Sequence, residues 1–525
     1  METIVGDSFT NIDTISFEQF RRECAGYELT SALRFVQRES AAMGDQILKK
    51  VNIYNDFLGS GHVHISQYAH AFIAKHLLLN SSFLHRRPFQ KSDYEKLVVY
   101  FNHLETDLNY LNPRHPSAQR WLVRASYSQG RYQRIPGHIL GRYYILFKEL
   151  GRSSTACSAM VEKAIGLNVD EIMLIGISFY IVLLLNGHLD IRHIEQHSIP
   201  SLNDVLQPAK LGSFLQSTAI SKDEFKSECG RLSWDNVLLK KYEFNPLWLY
   251  PIIDTGILSP GLRYIVPSLG DFVYRFTEGI YYSTMDYYNQ GGAKNKFSAE
   301  FGPLFENYVG YHLEDVKQKN SGLAAIQPET EYNCGKNRWK SSDWLLVSSN
   351  DVIQIECKKA TTPIKFRAAV SDNSGSDFDI VLDNFARYVI KLYQKSIHIQ
   401  QGNLEFASGG SKTVFSVFVV MDDFYCMDAR FKPLITAKAA QKIPQISSFR
   451  YHILNCTSFE VVCQFLKTHP DVKFSDLLRL KEEDQNYHTD FDRFLEEHFS
   501  FTCSKIDLIW SVADRLWALA IDTGS

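Results

Sequence analysis

The chain lacks the cysteine pairs that build disulfide frameworks and zinc sites. Its 525 residues include nine cysteines, an odd number spread widely along the sequence, and no two of them form a CxxC pair. A chain of this length can bury a core large enough to fold without covalent cross-links. The cysteines are therefore interpreted as reduced thiols, which is typical of a cytoplasmic protein.

A targeting segment and a long apolar run are also missing. The first residues, METIVGDSFTNIDT, are polar and carry acids, unlike a signal peptide. The most apolar run, from Ile172 to Leu185, has 14 residues, whereas a membrane-spanning helix needs about 20. We expect this run to be a buried core helix and expect no membrane partner.

Charge and nucleotide-binding motifs exclude two further classes of protein. The formal net charge of −3 excludes a uniformly basic nucleic-acid binder, although it permits a local basic cleft. The sequence contains no GxxxxGK[ST] phosphate loop and no GxSxG nucleophile elbow. No ATPase or motor activity is therefore expected.

Patterning divides the chain into three regions. Residues 1–235 are expected to be mainly helical, because apolar residues recur at three- and four-residue spacing. Residues 236–297 contain several prolines and are expected to form a connecting subdomain with short strands. One helix is predicted over residues 271–288, ended by Gly291 and Gly292. Residues 298–525 are expected to form a domain that mixes strands with helices and ends in helices.

The order of elements after residue 298 predicts the fold class. A helix is predicted at 301–316 and a second one at 378–395, with a strand hairpin at 343–357 between them. The uncharged run at 413–421 is typical of a central strand buried on both faces. We therefore expect a multidomain α + α/β protein, in which a mostly helical N-terminal region precedes an α/β/α domain with a mixed central sheet.

The predicted hairpin brings two carboxylates together. Its turn is predicted at Ser348–Asp351, and a turn centred between residues 349 and 350 places Asp343 opposite Glu356. Side chains opposed in this way have Cβ atoms about 4.5–5.5 Å apart. Two carboxylates at that distance repel each other, unless a divalent cation lies between them. The pattern therefore predicts a metal site.

Alternation along the second strand adds a lysine to the two acids. One face is polar and the other apolar, and Lys358 lies on the polar face with Glu356. Two carboxylates in an open, oxygen-rich site suit Mg²⁺ or Mn²⁺. Such an ion activates a bound water and offsets the charge of a phosphate, and an ammonium group stabilises a developing oxyanion. These residue types predict phosphodiester hydrolysis.

The stretch Ser342-Asp343-Trp344 followed by Glu356-Cys357-Lys358 resembles the D…ExK signature of the PD-(D/E)xK nuclease superfamily. Twelve residues separate the aspartate from the glutamate. The proline that precedes the aspartate in the motif is absent, since Ser342 stands there. The resemblance covers residues 298–455 and implies a restriction-endonuclease-like domain.

The resemblance also implies roles for individual residues. Asp343, Glu356 and Lys358 are the implied catalytic residues. Asp343, Glu356, the backbone carbonyl of Cys357 and Glu306 on the first helix are the implied ligands of Mg²⁺ or Mn²⁺. Gln394, near the end of the second helix, is the implied polar residue that contacts the site or the nucleic acid.

The function implied by the resemblance is a metal-dependent nuclease that cuts DNA endonucleolytically, with RNA as the second candidate substrate. Members with extra helical regions often act in restriction or anti-phage defence. Two alternatives stay open. One is a nucleic-acid-binding or protein-binding sensor that uses a non-catalytic nuclease fold as a scaffold. The other is a nuclease subunit that is inactive until it meets a partner, either a second copy or a regulatory protein.

Two groups of basic residues are candidates for contacts with nucleic acid. Lys359, Lys365 and Arg367 directly follow the strand that carries Glu356. Residues 114–148 contain seven basic residues, no acid and interleaved aromatics, a composition typical of phosphate-tracking and base-stacking surfaces. The candidates in this segment are Arg120, Arg124, Arg131 and Arg134. The alternative is an amphipathic helical hairpin with its aromatics in the core.

Four histidines lie close together in the sequence at positions 62, 64, 70 and 76. No cysteine or acid accompanies them at the spacing of metal ligands. They are therefore expected to be solvated or helix-capping residues.

Overall fold

The computed structural model describes residues 14–48, 66–110, 136–151, 156–196, 202–257, 261–293, 295–320, 322–323, 325–359, 374–404, 412–421 and 431–521. The chain divides into two compact units. The first comprises Met1–Arg152, Ala156–Phe297 and Val512–Ser525, and the second comprises Ser153–Thr155 and Ser298–Ser511. Helices and mixed sheets occur together, in agreement with a multidomain α + α/β fold.

The first unit is mainly helical. A π-helical turn lies at Ile145–Leu150, and 3₁₀ turns lie at Asp107–Tyr110, Val237–Tyr242 and Pro246–Trp248. The helices are α1 (Phe17–Cys24), α2 (Leu29–Leu48), α3 (Gln67–Asn80), α4 (Lys91–Asn102), α5 (Pro136–Tyr144), α6 (Cys157–Ile165), α7 (Val169–Asn186), α8 (Ile191–Gln196), α9 (Pro208–Thr218), α10 (Lys222–Arg231), α11 (Leu269–Arg275) and α12 (Gly279–Gln290).

A small sheet joins the helical region to residues 236–297. Strand β1 (Ala219–Ser221) runs parallel to β2 (Ile252–Asp254), which pairs antiparallel with β3 (Tyr264–Ile265). Strand β1 pairs with β2, and residues 236–297, which we expected to form a connecting subdomain, fall within the first unit. Val512–Ser525 also belong to this unit.

The apolar run expected to be a core helix lies in α7. The side chain of Asn168 accepts a hydrogen bond from the Glu171 amide, and the Glu171 carboxylate accepts one from the Asn168 amide. This reciprocal cap fixes the start of the helix, and Gly187, at φ 66°, ends it. Within the described residues, α7 alone is long and apolar enough to cross a membrane, and 61% of its 18-residue window is buried inside the protein.

The helix predicted over residues 271–288 is two helices, α11 and α12, separated by Phe276–Glu278. The periodicity continues through the break, which is why the sequence pattern does not reveal it. At Gly279, an added Cβ would lie 2.9 Å from the carbonyl oxygen of Tyr274. The close approach of the two helices therefore requires glycine. The predicted end of α12 is confirmed, with Gly291 as its C-cap.

The prediction that the histidines are solvated or capping is wrong for His70 and His76. Every residue of α3 from Tyr68 to Leu78 is buried, because neighbouring elements cover the helix on all sides. His70 bonds the Tyr94 hydroxyl and the Pro267 carbonyl, and His76 packs among phenylalanine rings. His62 and His64 lie outside the described residues.

The second unit is built on a five-stranded mixed sheet. The strands of this unit are β4 (Ala325–Pro328), β5 (Glu331–Cys334), β6 (Asn337–Lys340), β7 (Trp344–Val347), β8 (Asp351–Lys358), β9 (Thr413–Val420) and β10 (His452–Asn455). In the sheet they lie in the order β10-β9-β8-β7-β4, with β8, β9 and β10 parallel and with β7 antiparallel to both of its neighbours. A separate two-stranded ribbon is formed by β5 and β6.

Two long helices contact opposite faces of this sheet. The helix α13 (Lys296–Lys319) accepts a hydrogen bond from the Trp344 indole at the Glu306 carbonyl. On the other face, α14 (Ser374–Gln400) accepts one from Gln354 at the Leu392 carbonyl. The remaining helices are α15 (Lys432–Ala440), α16 (Cys456–Thr468), α17 (Phe474–Lys481), α18 (Phe491–Phe499) and α19 (Asp507–Ile521). Helix α19 begins in the second unit and ends in the first.

Candidate active site

The hairpin of β7 and β8 has the predicted register. Trp344 pairs with Ile355, and Val347 pairs with Val352. The turn is closed by a bond of 2.9 Å from the Ser348 amide to the Asp351 carbonyl. Continued by one residue, this register sets Asp343 against Glu356, as the position of the turn predicts. The two acids therefore meet where the pairing of β7 with β8 ends, while β8 stays paired with β9 as far as Lys358.

Trp344 fixes the aspartate against α13. Its indole Nε1 donates to the Glu306 carbonyl at 2.9 Å, and its ring lies against Gly310, where an added Cβ would be 2.1 Å from the ring carbon Cζ2. Because Gly310 has no side chain, the ring can pack directly on the helix. Because Trp344 directly follows Asp343, this packing also fixes the backbone that carries the carboxylate.

Asp343 is a partly buried carboxylate, and one of its two oxygens accepts a hydrogen bond from a described residue. Its Oδ2 accepts from the Cys357 amide at 2.6 Å, whereas no described residue donates to Oδ1. Burial, followed by repulsion from Glu356, raises the pKa of Asp343 to about 7. A buried acid of this kind is stabilised by a cation, and Oδ1 is the atom that would bind it.

Glu356 is held by two ammonium groups. Lys358 Nζ donates to Oε1 at 2.6 Å, and Lys395 Nζ donates to Oε2 at 2.7 Å. Burial opposes ionisation of Glu356, but the attraction of the two lysines outweighs it and holds the pKa of this carboxyl below its ordinary value. The site therefore contains one carboxylate that stays ionised and one that ionises with difficulty.

Lys358 contacts two of the predicted metal ligands. Besides Glu356, its ammonium group donates to the Cys357 carbonyl at 3.0 Å, and it lies 5.5 Å from the centre of the Tyr388 ring. Burial lowers the pKa of Lys358, but the carboxylates of Glu356 and Asp343 outweigh burial and raise it. The lysine is thus kept charged beside the oxygens that would bind an ion.

Glu306 lies within electrostatic range of the other site residues. It is half-buried on α13, and burial is the main cause that raises its pKa. Glu329 and Glu356 raise it further, while Lys358 and Lys340 lower it. The Glu306 carboxylate therefore contributes to the electrostatic field at Asp343, Glu356 and Lys358.

The donor set fits a hard ion bound by few protein ligands. Within the described ranges, no three Asp, Glu, His or Cys residues form a group that could hold a metal ion. Asp343, Glu356 and the Cys357 carbonyl offer three oxygens, and Mg²⁺ commonly binds through one or two carboxylates while it keeps several waters. The arrangement suits such an ion better than one that needs a closed cage, with Glu306 as an outer charge.

A buried amide network supports the polar side of β8. Gln354 is fully buried and donates to Ser416 Oγ at 2.8 Å and to the Leu392 carbonyl at 3.2 Å. It also accepts from Ser342 Oγ at 3.3 Å. These bonds tie the residue before Asp343 to β9 and α14, which limits how far the aspartate can move.

The second helix contacts the site through Lys395, while the contact of Gln394 with the site or the nucleic acid that the resemblance implies stays a prediction. No described residue hydrogen-bonds the Gln394 side chain, whereas Lys395 Nζ reaches Glu356 and, at 3.0 Å, the Ser341 carbonyl. Tyr388, Leu392 and Lys395 stand at helical spacing on the face of α14 that covers β8. This spacing is the signal in the sequence that could have identified Lys395.

The predicted nucleic-acid contacts are partly described. Lys359 donates to the hydroxyl and carbonyl of Ser298. Of the segment 114–148, the described part is packed: Arg142 and Phe147 are buried, and Lys148 pairs with Asp170. The buried aromatic side chain agrees with the alternative interpretation, an amphipathic helical hairpin with its aromatics in the core. Outside the described residues lie Lys365, Arg367, Arg120, Arg124, Arg131 and Arg134.

Comparison of the chain with protein-family models, with curated proteins and with solved structures gave no match. The function is therefore inferred from the residues of the site and their geometry.

Proposed function

We propose that the second unit is a metal-dependent nuclease that hydrolyses phosphodiester bonds, with Asp343, Glu356 and Lys358 as its catalytic residues. One observation carries the proposal. The register of β7 and β8 sets a partly buried aspartate, whose Oδ1 accepts no hydrogen bond from a described residue, against an ionised glutamate, with a charged lysine on the same strand as the glutamate. Burial of two neighbouring acids is unfavourable, and a bound cation removes that cost.

The ion would be Mg²⁺ or Mn²⁺, held by Asp343 Oδ1, Glu356 and the Cys357 carbonyl. When bound, it would lower the pKa of a coordinated water and offset charge on the phosphate. Glu306 adds negative charge near these ligands, which favours a divalent cation over a monovalent one. No closed protein cage is needed, because waters complete the shell of such ions.

The residues of the chain bind and orient the reacting groups. Lys358, kept charged by its two acid neighbours, donates to an oxygen of the scissile phosphate and stabilises the charge that develops there. Glu356 stays ionised because of its lysine partners, so it remains available as a ligand. Trp344 and Gln354 hold the backbone around Asp343.

The proposed substrate is DNA, cut endonucleolytically, and the proposed setting is restriction or anti-phage defence in the cytoplasm. This part of the proposal comes from the resemblance of the D…ExK signature to nucleases of the PD-(D/E)xK superfamily, which also implies a restriction-endonuclease-like domain. The first unit would then recognise the substrate or regulate the cut.

The test is cleavage of supercoiled plasmid, linear duplex, single-stranded DNA and RNA with Mg²⁺ or Mn²⁺. Wild type should cut at least one of them, and EDTA should stop it. Glu356→Ala and Lys358→Ala should each reduce the rate by roughly a hundred-fold or more, whereas Lys391→Ala, which removes an exposed lysine of α14, should leave it unchanged. Equal, metal-independent binding of nucleic acid by all variants, without cleavage, would instead favour the scaffold alternative.

A further inference from the structure

Lys395 joins the site from a different element than the other charged residues. It lies near the end of α14, and its side chain is only 12% exposed. Its ammonium group donates to Glu356 Oε2 at 2.7 Å and to the Ser341 carbonyl at 3.0 Å. The lysine therefore connects the strand that carries Glu356 to the segment that leads into Asp343.

Together, Lys395 and Lys358 engage both oxygens of Glu356. A divalent ion that binds Asp343 and Glu356 must share one of these oxygens with an ammonium group or displace it. The ion and the ammonium group also repel each other over a short distance, in surroundings where charges are poorly screened. The two lysines therefore oppose binding of the ion to the free protein.

The charges of the site explain what would relieve this opposition. When ionised, Asp343, Glu356 and the nearby Glu306 carry three negative charges against the two positive charges of Lys358 and Lys395, so a bound divalent ion leaves one positive charge in excess. A phosphodiester offers oxygens that accept hydrogen bonds from an ammonium group, and its negative charge reduces the excess. Lys395 can then leave Glu356 for the phosphate.

On the basis of the proposed function, we infer that Lys395 couples binding of the ion to binding of nucleic acid. In the free protein it holds Glu356 and keeps the affinity for the ion low. With nucleic acid bound, it contacts the phosphate and leaves a Glu356 oxygen to the ion. Because such coupling is reciprocal, each ligand raises the affinity for the other.

The experiment measures Mn²⁺ binding to the full chain by electron paramagnetic resonance of free Mn²⁺. The proteins are wild type, Lys395→Met, Lys395→Gln and Lys391→Met, with circular dichroism as the check on folding. Lys395→Met and Lys395→Gln should each bind Mn²⁺ about ten-fold more tightly than wild type, since one unit of opposing charge is removed close to the ion. Lys391→Met removes an exposed lysine one turn away and should match wild type.

A second arm adds a short phosphorothioate DNA duplex, which resists hydrolysis and keeps its charge. The duplex should raise the Mn²⁺ affinity of wild type about ten-fold and that of Lys395→Met much less. A purely structural role for Lys395 predicts weaker Mn²⁺ binding in the variants, and this result, or equal binding by all four proteins, would overturn the inference. If either result overturns the inference but Asp343→Asn abolishes Mn²⁺ binding, the proposed function survives. If wild type and all variants bind no Mn²⁺, both fail.

Discussion

At the scale of single residues, Asp343 and Glu356 are both partly buried acids but differ in what surrounds them. Asp343 receives one backbone hydrogen bond, whereas Glu356 receives two ammonium groups. The pKa of Asp343 is raised to about 7, and that of Glu356 is lowered. Neutral amides at the two positions should therefore have opposite effects on stability.

We predict that Asp343→Asn stabilises the metal-free protein at pH 8, by on the order of 2 kcal/mol. Because the folded protein holds this proton more tightly than the unfolded chain, the stability that Asp343 contributes is present below pH 3.8 and is lost as the pH rises through about 7. Urea unfolding of both proteins in EDTA at pH 8 measures the difference.

Glu356→Gln is the matched comparison, since it also removes one negative charge from the site. It should destabilise the metal-free protein by about 1–3 kcal/mol, because two charge-assisted hydrogen bonds are lost. If both variants shifted stability in the same direction, the two acids would not differ in the way that their partners indicate.

Glu482 provides a test of pH dependence away from the site. Burial raises its pKa to about 7, against the attraction of Arg450, Lys432 and Arg479, and its Oε1 lies 3.5 Å from His452 Nε2. The stability that Glu482 contributes should therefore fall as the pH rises from 4.5 to about 7. Glu482→Gln should be more stable than wild type at pH 8 by about 1–2 kcal/mol and equal to it at pH 4.5. Thermal unfolding at the two pH values measures this, with the exposed Glu483→Gln as an unchanged control.

At the scale of elements, the hairpin could be predicted because its register follows from local information. A four-residue turn at Ser348–Asp351 and two apolar strands determine which residues face each other, and no distant residue is needed. The contact from α14 could not be predicted to the residue. Approximate bounds leave the rotation of a helix open, and the packing of α14 through Leu392 on Gln354 is what brings Lys395 to Glu356.

Gly310 tests the packing of the first helix on the hairpin. Gly310→Ala would place a Cβ 2.1 Å from the Trp344 ring, so the ring must move and its bond to the Glu306 carbonyl must stretch. We expect a loss of about 1–3 kcal/mol in unfolding free energy, together with a change in tryptophan fluorescence. Gly212→Ala, in α9 with no atom within 4 Å of the added Cβ, should be neutral or slightly stabilising. Equal effects of the two substitutions would argue against the close packing of the Trp344 ring on Gly310.

At the scale of the whole molecule, the sequence predicted the mixture of helices and sheet but not which segments pack together. The burial of His70 and His76 depends on elements far along the chain, such as the carbonyl of Pro267. The return of Val512–Ser525 to the first unit is likewise invisible to periodicity, since α19 reads as one continuous helix. Local patterns determine elements, whereas long-range contacts decide which unit an element joins.

The helix α19 allows the two units to be perturbed one at a time. Trp517 belongs to the first unit and packs edge-on against Tyr180 of α7, with ring centres 5.6 Å apart. Trp510, two turns earlier, belongs to the second unit, where Lys505 Nζ lies 5.1 Å from the centre of its ring. Trp517→Ala should cost the first unit about 2 kcal/mol and reduce the hydrogen-exchange protection of α7, while α13 keeps its protection. Trp510→Ala should leave α7 unchanged. If either substitution lowered protection equally in α7 and α13, the two units would unfold as one, and the division of the chain at residue 298 would have no energetic counterpart.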